Sequence, residues 1–344
     1  MAIVERISSD KTWEQMLKRN SQDNLLLLCQ RLMVEGLWKE SLMELSAFLE
    51  QYLGQHPEKL ILLLSQCDID LLFQIWNIGK KLDLSYTDQR NIVSLEKLGL
   101  IQYDHKEKRI TINEDARANF YFYLKSRSSM KQIQHLQELE YAVKGILYQC
   151  GIIEFPHLCD ILEEGGEEIS SHFMHEFLVG RMEFWSFLGV LKNTKTEMCY
   201  LESYEVKNRN RIFEGWFEDQ SRAFHRISME DARLIGRMNG IGNWKGTKEM
   251  LSFCLTKIYK EVIPATVLVK TILIYIQNGD TMEELRNKLQ LKIADFTEEE
   301  KLEFWKCIDE MYWHTPLFHL KGYSRWEDRK EKQHFSVIHG GKRD

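Results

Sequence analysis

Proline is scarce in this chain. Its 344 residues hold four, at Pro57, Pro156, Pro264 and Pro316, where average usage is roughly 5%. Proline removes a backbone donor and clashes with the preceding helical turn. Its scarcity fits a mostly helical protein, with the four survivors marking helix starts and stops. Paired cysteines are missing too. Cys29, Cys67, Cys150, Cys159, Cys199, Cys254 and Cys307 are scattered, odd in number and free of any CxxC pair, which points to reduced thiols in a cytosol rather than a disulfide scaffold. No apolar run reaches the roughly 20 residues of a bilayer span. The longest, "VIPATVLVKTILIYI", contains Pro264 and Lys270 and reads as a buried core helix. The opening "MAIVERISSD" has early charges and no apolar centre, unlike a signal peptide. Positive charge is not in excess either: 46 Lys and Arg face 52 Asp and Glu, for a net charge of −6. That argues against a chain whose main task is to coat nucleic acid, though a local basic face stays open. The expectation is a cytoplasmic, mainly α protein with no membrane partner.

What is present has ordinary globular composition, 44% hydrophobic and 28% charged, in a chain long enough for two or three domains. Residues 1–56 read as a helical module. "SQDNLLLLCQRLMVEG" is capped by Ser21 and ends at Gly36, and "WKESLMELSAFLEQYLG" aligns Leu42, Leu45, Leu49 and Leu53 on one stripe. Residues 57–130 and 131–206 look like a repeated unit. In the first, two helices precede Leu98-Gly99 and the alternating "LIQYDHKEKRITI", whose polar turn covers Asp104 to Lys108; Asn113 then caps a further helix. In the second, helices precede Leu188-Gly189 and a hairpin in "VLKNTKTEMCYLES". Period-two alternation about a short polar turn is a hairpin signal, and glycine after leucine can close a helix in the left-handed conformation. Helix, helix, Leu-Gly, hairpin is the order of a winged helix, so two winged-helix-like units with small β-hairpins are expected. Residues 207–344 read as a helical domain, with capping-box pairs Ser228/Asp231, Thr281/Glu284 and Thr297/Glu300. An aromatic strap, "WHTPLFHLKGYSRWE", closes it.

Chemistry is harder to find. Winged helices that bind DNA need cations facing phosphate. The first unit offers Gln89, Arg90, Asn91 and Lys97 on its second helix and Lys106, Lys108 and Arg109 on the hairpin. Residues 104–131 hold seven basic and four acidic side chains. The competing reading is a structural or protein-docking role. His172, His175 and Glu176, with Cys150, His157 and Cys159 upstream, lack the paired spacing of a zinc site, so no metal and no cofactor is expected. "GRMNGIGNWKGTKE" has Gly236, Gly240, Gly242 and Gly246 but neither the Gly-Lys-Ser/Thr ending of a P-loop nor a preceding strand; it reads as a glycine-rich link packed by Trp244. Nucleophile elbow, HExxH and paired-carboxylate motifs are lacking, and no catalytic residue is assigned. A site assembled across distance stays open.

Two resemblances add to this reading. Gly36, Leu37, Lys39, Leu42 and Leu45, in a helix, Gly-Leu-x-Lys, helix pattern of about 35 residues, resemble the small helical modules at the front of transcription terminator Rho and in SAP domains. That resemblance implies nucleic-acid contact near Lys39. Thr315, Pro316, Leu317, Leu320, Lys321, Gly322, Tyr323 and Ser324 resemble the closing segment of a group of mostly uncharacterised bacterial helical proteins that often run on into a zinc-binding SEC-C motif. The SEC-C cysteines are absent here, since none follows Cys307. The strap, locally basic from Lys321 to Asp344, offers Lys321, Tyr323, Arg325 and Trp326 as a second candidate contact, against a reading as packed terminus. Together these features describe a non-enzymatic intracellular interaction protein, linked to DNA or RNA or to transcription; the alternative is a protein-docking scaffold that binds no nucleic acid.

Overall fold

A computed structural model of the chain describes residues 2–4, 6–34, 36–37, 39–77, 82–84, 86–167, 170–181, 188–192 and 199–331. The order begins with strands β1 (Ala2–Val4) and β2 (Arg6–Lys11), then helices α1 (Trp13–Leu17), α2 (Gln22–Arg31), α3 (Leu42–Gln55), α4 (Pro57–Leu63) and α5 (Gln66–Asn77). Strand β3 (Leu82–Leu84) and helix α6 (Tyr86–Lys97) follow, then β4 (Ile101–Asp104), β5 (Arg109–Asn113), α7 (Glu114–Lys125) and the long α8 (Arg127–Cys150). Next come β6 (Ile152–Glu154), α9 (Phe155–Glu164), α10 (Ser171–Arg181), β7 (Leu188–Lys192) and β8 (Cys199–Ser203). Helices complete the described chain: α11 (Arg209–Glu218), α12 (Met229–Arg237), α13 (Thr247–Phe253), α14 (Val262–Gln277), α15 (Met282–Leu289) and α16 (Glu298–His314). The protein is mainly α. Among the described residues no single helix is long and apolar enough to cross a membrane.

The chain divides into two compact units, 1–138 with 170–185 and 139–169 with 186–344. The segment 131–206 is therefore shared between them rather than forming a body of its own. In the first unit the leucine stripe of α3 works as its spacing implies: Leu45, Leu49 and Leu53 are fully buried. Ser41 opens that helix with a complete capping box to Glu44. Helix α2 starts on the Ser21 cap but stops at Arg31, five residues before Gly36, because Met33 takes a left-handed conformation that ends the helical ladder. Asn113 caps α7, its side chain accepting from the Ala116 amide at 2.9 Å.

Each unit contains a three-stranded sheet, ordered β2-β5-β4 in the first and β6-β8-β7 in the second. The hairpin at Asp104 to Lys108 forms as the alternation implies, with Ile101 paired to Ile112 and Asp104 to Arg109, antiparallel. Its helix closes at Gly99, where φ is +65° and the Gly99 and Leu100 amides donate to the carbonyls of Glu96 and Leu95. The corresponding Leu188-Gly189 does not close a helix. Both residues lie within β7, with Gly189 paired to Glu202, so the ladder sets their conformation. Strands β1, β2, β3 and β6 carry no pattern that reading the sequence picked out.

The second unit is built on α14, whose Leu268, Val269, Ile272, Leu273 and Ile276 are buried and pack with Phe304, Ile308 and Met311 of α16. Thr281 and Thr297 make both halves of their capping boxes. Ser228 makes one: it accepts from the Asp231 amide, while the Asp231 carboxylate reaches only the serine hydroxyl. Aspartate is a methylene shorter than the glutamate the box requires.

Candidate nucleic-acid interface

Helix α1 places the corner between α6 and β4. Its Trp13 indole donates to the Leu98 carbonyl at 2.8 Å and meets the Phe120 ring edge-on at 5.2 Å between centroids. The hairpin that follows is held by Asp104, whose Oδ1 accepts from the amides of Lys106 and Glu107 at 2.9 and 3.0 Å. Those bonds, that from Glu107 first, hold the Asp104 carboxyl below its ordinary range. Lys108 completes the turn at φ +47°. Lys106 and Lys108 are exposed. Arg109 is half-buried and pairs with Glu107 at 3.2 Å, so part of its charge is answered locally. Asn91 is half-buried on α6; the backbones of Gln89 and Arg90 belong to that helix, and their side chains lie outside the description.

At the base of the hairpin, α1, α6 and β4 enclose an open cleft of about 350 Å³. Its apolar lining includes Met16, Val93 and Ile101; its polar lining is Arg19, Asn20, Glu96, Lys97 and Gln102. Asn20 donates through Nδ2 to the carbonyls of Leu17 and Lys97. Gln102 accepts through Oε1 from the Lys11 ammonium at 2.7 Å. Glu96 accepts through Oε1 from the Tyr103 amide at 2.7 Å. Burial pushes the Glu96 carboxyl up, against the pull of that amide and of His105 and Arg19. Arg19 is exposed and makes no ion pair among the described residues. Of these cleft residues Lys97 stood out in the sequence; Arg19, Asn20, Glu96 and Gln102 did not, because nothing in their spacing says that α1 lies across the end of α6. Lys39 is exposed in the turn before α3 and does not line the cleft. A second cleft, of about 300 Å³, lies between the end of α2 and that turn, lined in part by Cys29, Met33, Gly36 and Leu37; burial pushes the Cys29 thiol up to about 11.

The strap's side chains are turned inward, apart from one. Pro316 bridges to Ser324, and the Leu317 amide donates to the Tyr323 carbonyl at 3.0 Å, closing the segment on itself. Lys321 donates to the Arg222 carbonyl at 2.6 Å and lies 5.7 and 5.6 Å from the Trp216 and Phe224 ring centres; burial lowers its pKa. Tyr323 meets His225 edge-on at 4.6 Å. Arg325 donates to the carbonyls of Tyr312 and Asp280, both at 3.0 Å, and stacks 3.7 Å above the Tyr312 ring. Trp326 is exposed, with Lys330 over its ring at 4.8 Å. These are the contacts of a packed strap.

The remaining candidates separate. His172 is exposed on α10, and the His175 side chain lies outside the description. Cys150 and Cys159 are buried, the Cys150 thiol pushed up to about 12 by burial. His157 pairs with Glu154 at 2.8 Å. Among the described residues no group of three or more His, Cys, Asp or Glu is placed to hold a metal ion. In the glycine-rich link a Cβ on Gly242 would lie 2.6 Å from the Trp244 ring, and one on Gly236 2.1 Å from the Tyr141 carbonyl oxygen. Close packing accounts for these two glycines without a phosphate. Comparison with protein-family models, with curated proteins and with solved structures finds nothing that matches this chain.

Proposed function

We propose that the chain is a non-enzymatic interaction protein whose first unit contacts DNA or RNA through α6 and the β4–β5 hairpin, used as a winged-helix-like surface. The observation that carries this is the placement of exposed Lys106 and Lys108 on a hairpin tip whose base adjoins a cleft edged by Arg19 and Lys97. Cations at the end of a defined projection can follow a phosphate backbone, and that electrostatic part supplies most non-specific affinity. The turn before α3, with Gly36, Leu37 and exposed Lys39, supports a Rho-N- or SAP-like module in the same unit. The test is fluorescence anisotropy of labelled DNA against the whole chain across a salt series. Micromolar or tighter binding that weakens steeply with salt is expected. Absence of binding even at low salt would remove this reading.

One observation favours the docking alternative. Val262, Ile263 and Val267 on α14, in the second unit, are 64%, 76% and 59% exposed, on a chain with net charge −6. If nucleic acid does not bind, this apolar face is the first place to look for a protein partner.

A further inference from the structure

Resting on the nucleic-acid reading above, we infer that the cleft between α1, α6 and β4 takes one unpaired nucleotide of a single strand and favours a base that carries an exocyclic amino group. Three features of the cleft lead there. The first is shape. A duplex is read by a projection that enters its groove, whereas a concave site receives a group that has left its stack, as in most sequence-specific RNA recognition. At about 350 Å³ the cleft stands near the lower end of ligand-site volumes, roughly 300–1,000 Å³, a size for one small group rather than a helix.

The second feature is the division of its lining. Val93, 51% exposed, with the buried Met16 and Ile101 behind it, supplies apolar surface for the face of a base, while exposed Arg19 supplies charge for its phosphate. A face and a phosphate contact together are what single-strand sites use.

The third feature is the hydrogen-bond inventory. Both Asn20 Nδ2 donors are taken by carbonyls, which leaves Oδ1 as an acceptor. Glu96 spends Oε1 on the Tyr103 amide, which leaves Oε2 as an acceptor. Gln102 spends Oε1 on Lys11, which leaves its Nε2 as a donor. Among the described residues the open groups are thus two acceptors and one amide donor. Adenine, cytosine and guanine each bring amino hydrogens to such acceptors. Thymine and uracil bring two carbonyl oxygens and a single N–H, so a carbonyl would face Glu96 or Asn20, and an unmatched polar pair is costly.

The test is anisotropy with labelled 12-nucleotide strands of dA, dC and dT, the matching RNA strands, and a 12-base-pair duplex, each titrated across the same salt series and compared at equal salt. Single strands should bind more tightly than duplex, and the A and C strands about tenfold more tightly than dT or U, the size of one base contact; the tighter of the DNA and RNA series names the sugar. Glu96→Gln keeps an oxygen for the Tyr103 amide and adds a donor. It should shrink the preference to about twofold while leaving dT binding in place. Arg19→Ala should weaken every single strand and lower the salt slope by about 0.7. Equal binding of dT, or duplex binding as tight as single strands and unmoved by either variant, overturns the cleft assignment while leaving the hairpin surface standing. No binding of any strand overturns both.

Discussion

In the first unit the β4–β5 hairpin takes its third strand from the start of the chain: β2 runs parallel to β5, with Ile7 opposite Ile110. In the second unit the β7–β8 hairpin takes β6, antiparallel, from directly after α8. The surroundings differ as well. The first hairpin carries its turn outward, with Lys106 and Lys108 exposed. The second sheet is packed instead: Ile152 of β6 clusters with Ile212 of α11 and Phe318 of the strap, and Glu202 and Ser203 of β8 are buried. A helix and hairpin make a candidate contact surface only where the rest of the chain leaves them uncovered. In the second unit Phe318 of the strap packs on β6 beside Ile152 and Gly151, and in the first no described segment covers the turn.

The comparison can be broken most forcefully at the glycine beside each sheet. Gly151 precedes β6 at φ +73°, and a Cβ there would lie 2.3 Å from the Phe318 ring. Gly99 precedes β4 at φ +65°, and a Cβ there would lie 3.0 Å from the buried side chains of Leu17 and Trp13, a milder approach than the 2.3 Å at Gly151. A left-handed alanine carries a strain of about 1 kcal/mol, and forced overpacking adds about 1–3 kcal/mol. Gly151→Ala should therefore cost about 2–4 kcal/mol and Gly99→Ala about 1–2 kcal/mol in urea unfolding. Equal losses would mean that the strap does not press on the second sheet.

Acid should separate the two units in opposite directions. In the second, His319 is held down at about 4 by burial, then by the Arg211 and Arg325 guanidiniums. Below its ordinary value of about 6.5 the unfolded chain takes up the proton first. His319 therefore subtracts stability as pH falls from about 6.5 to about 4, by at most about 1.4 kcal/mol per pH unit. In the first unit Glu96 is pushed up by burial. There the folded state takes up the proton first, so acidification through the Glu96 pKa adds stability. Unfolding followed at tryptophans of each unit, between pH 7 and 4, should show His319→Gln flattening the decline of the second unit and Glu96→Gln removing the gain of the first. A decline unchanged by His319→Gln would mean that this imidazole is not held neutral. Glu327 enters only at the acid end of that window. Burial would raise it, but bonds from His225 and Ser324 outweigh burial and hold it at about 2, so the stability it adds is lost only as pH falls below about 4.5.

These contrasts also mark how far the sequence can be read. The helices were legible because their signals are local: Ser21, Ser41, Asn113, Thr281 and Thr297 each satisfy an amide within three residues. The first hairpin was legible from alternation about Asp104 to Lys108. Strand β2 was not, since its partner lies about a hundred residues away and no local period announces a parallel edge. Leu188-Gly189 misled for a related reason. The dipeptide permits a helix stop, but pairing with Ser203 and Glu202 decides. For the candidate site, the hairpin lysines could be picked by type and position. Arg19, Asn20, Glu96 and Gln102 could not, because only the docking of α1 on Leu98 and Gly99 brings them together.

The gentlest change asks the sharpest question of the comparison. Lys106 and Lys108 are exposed at the tip of the first hairpin, and replacing surface side chains away from caps and cores changes stability by less than about 0.5 kcal/mol. The turn itself rests on Asp104 and backbone amides, which Lys106→Ala with Lys108→Ala leaves in place. Urea unfolding should thus be nearly unmoved. Nucleic-acid binding should not be: losing two phosphate contacts lowers the salt slope by about 1.8 on duplex or about 1.4 on single strands. The strap supplies the internal control. Arg325→Ala removes a stacked guanidinium that holds two carbonyls, so it should cost stability and leave the salt slope alone. Were the two variants to exchange these outcomes, the uncovered surface would belong to the second unit and the hairpin would be structural.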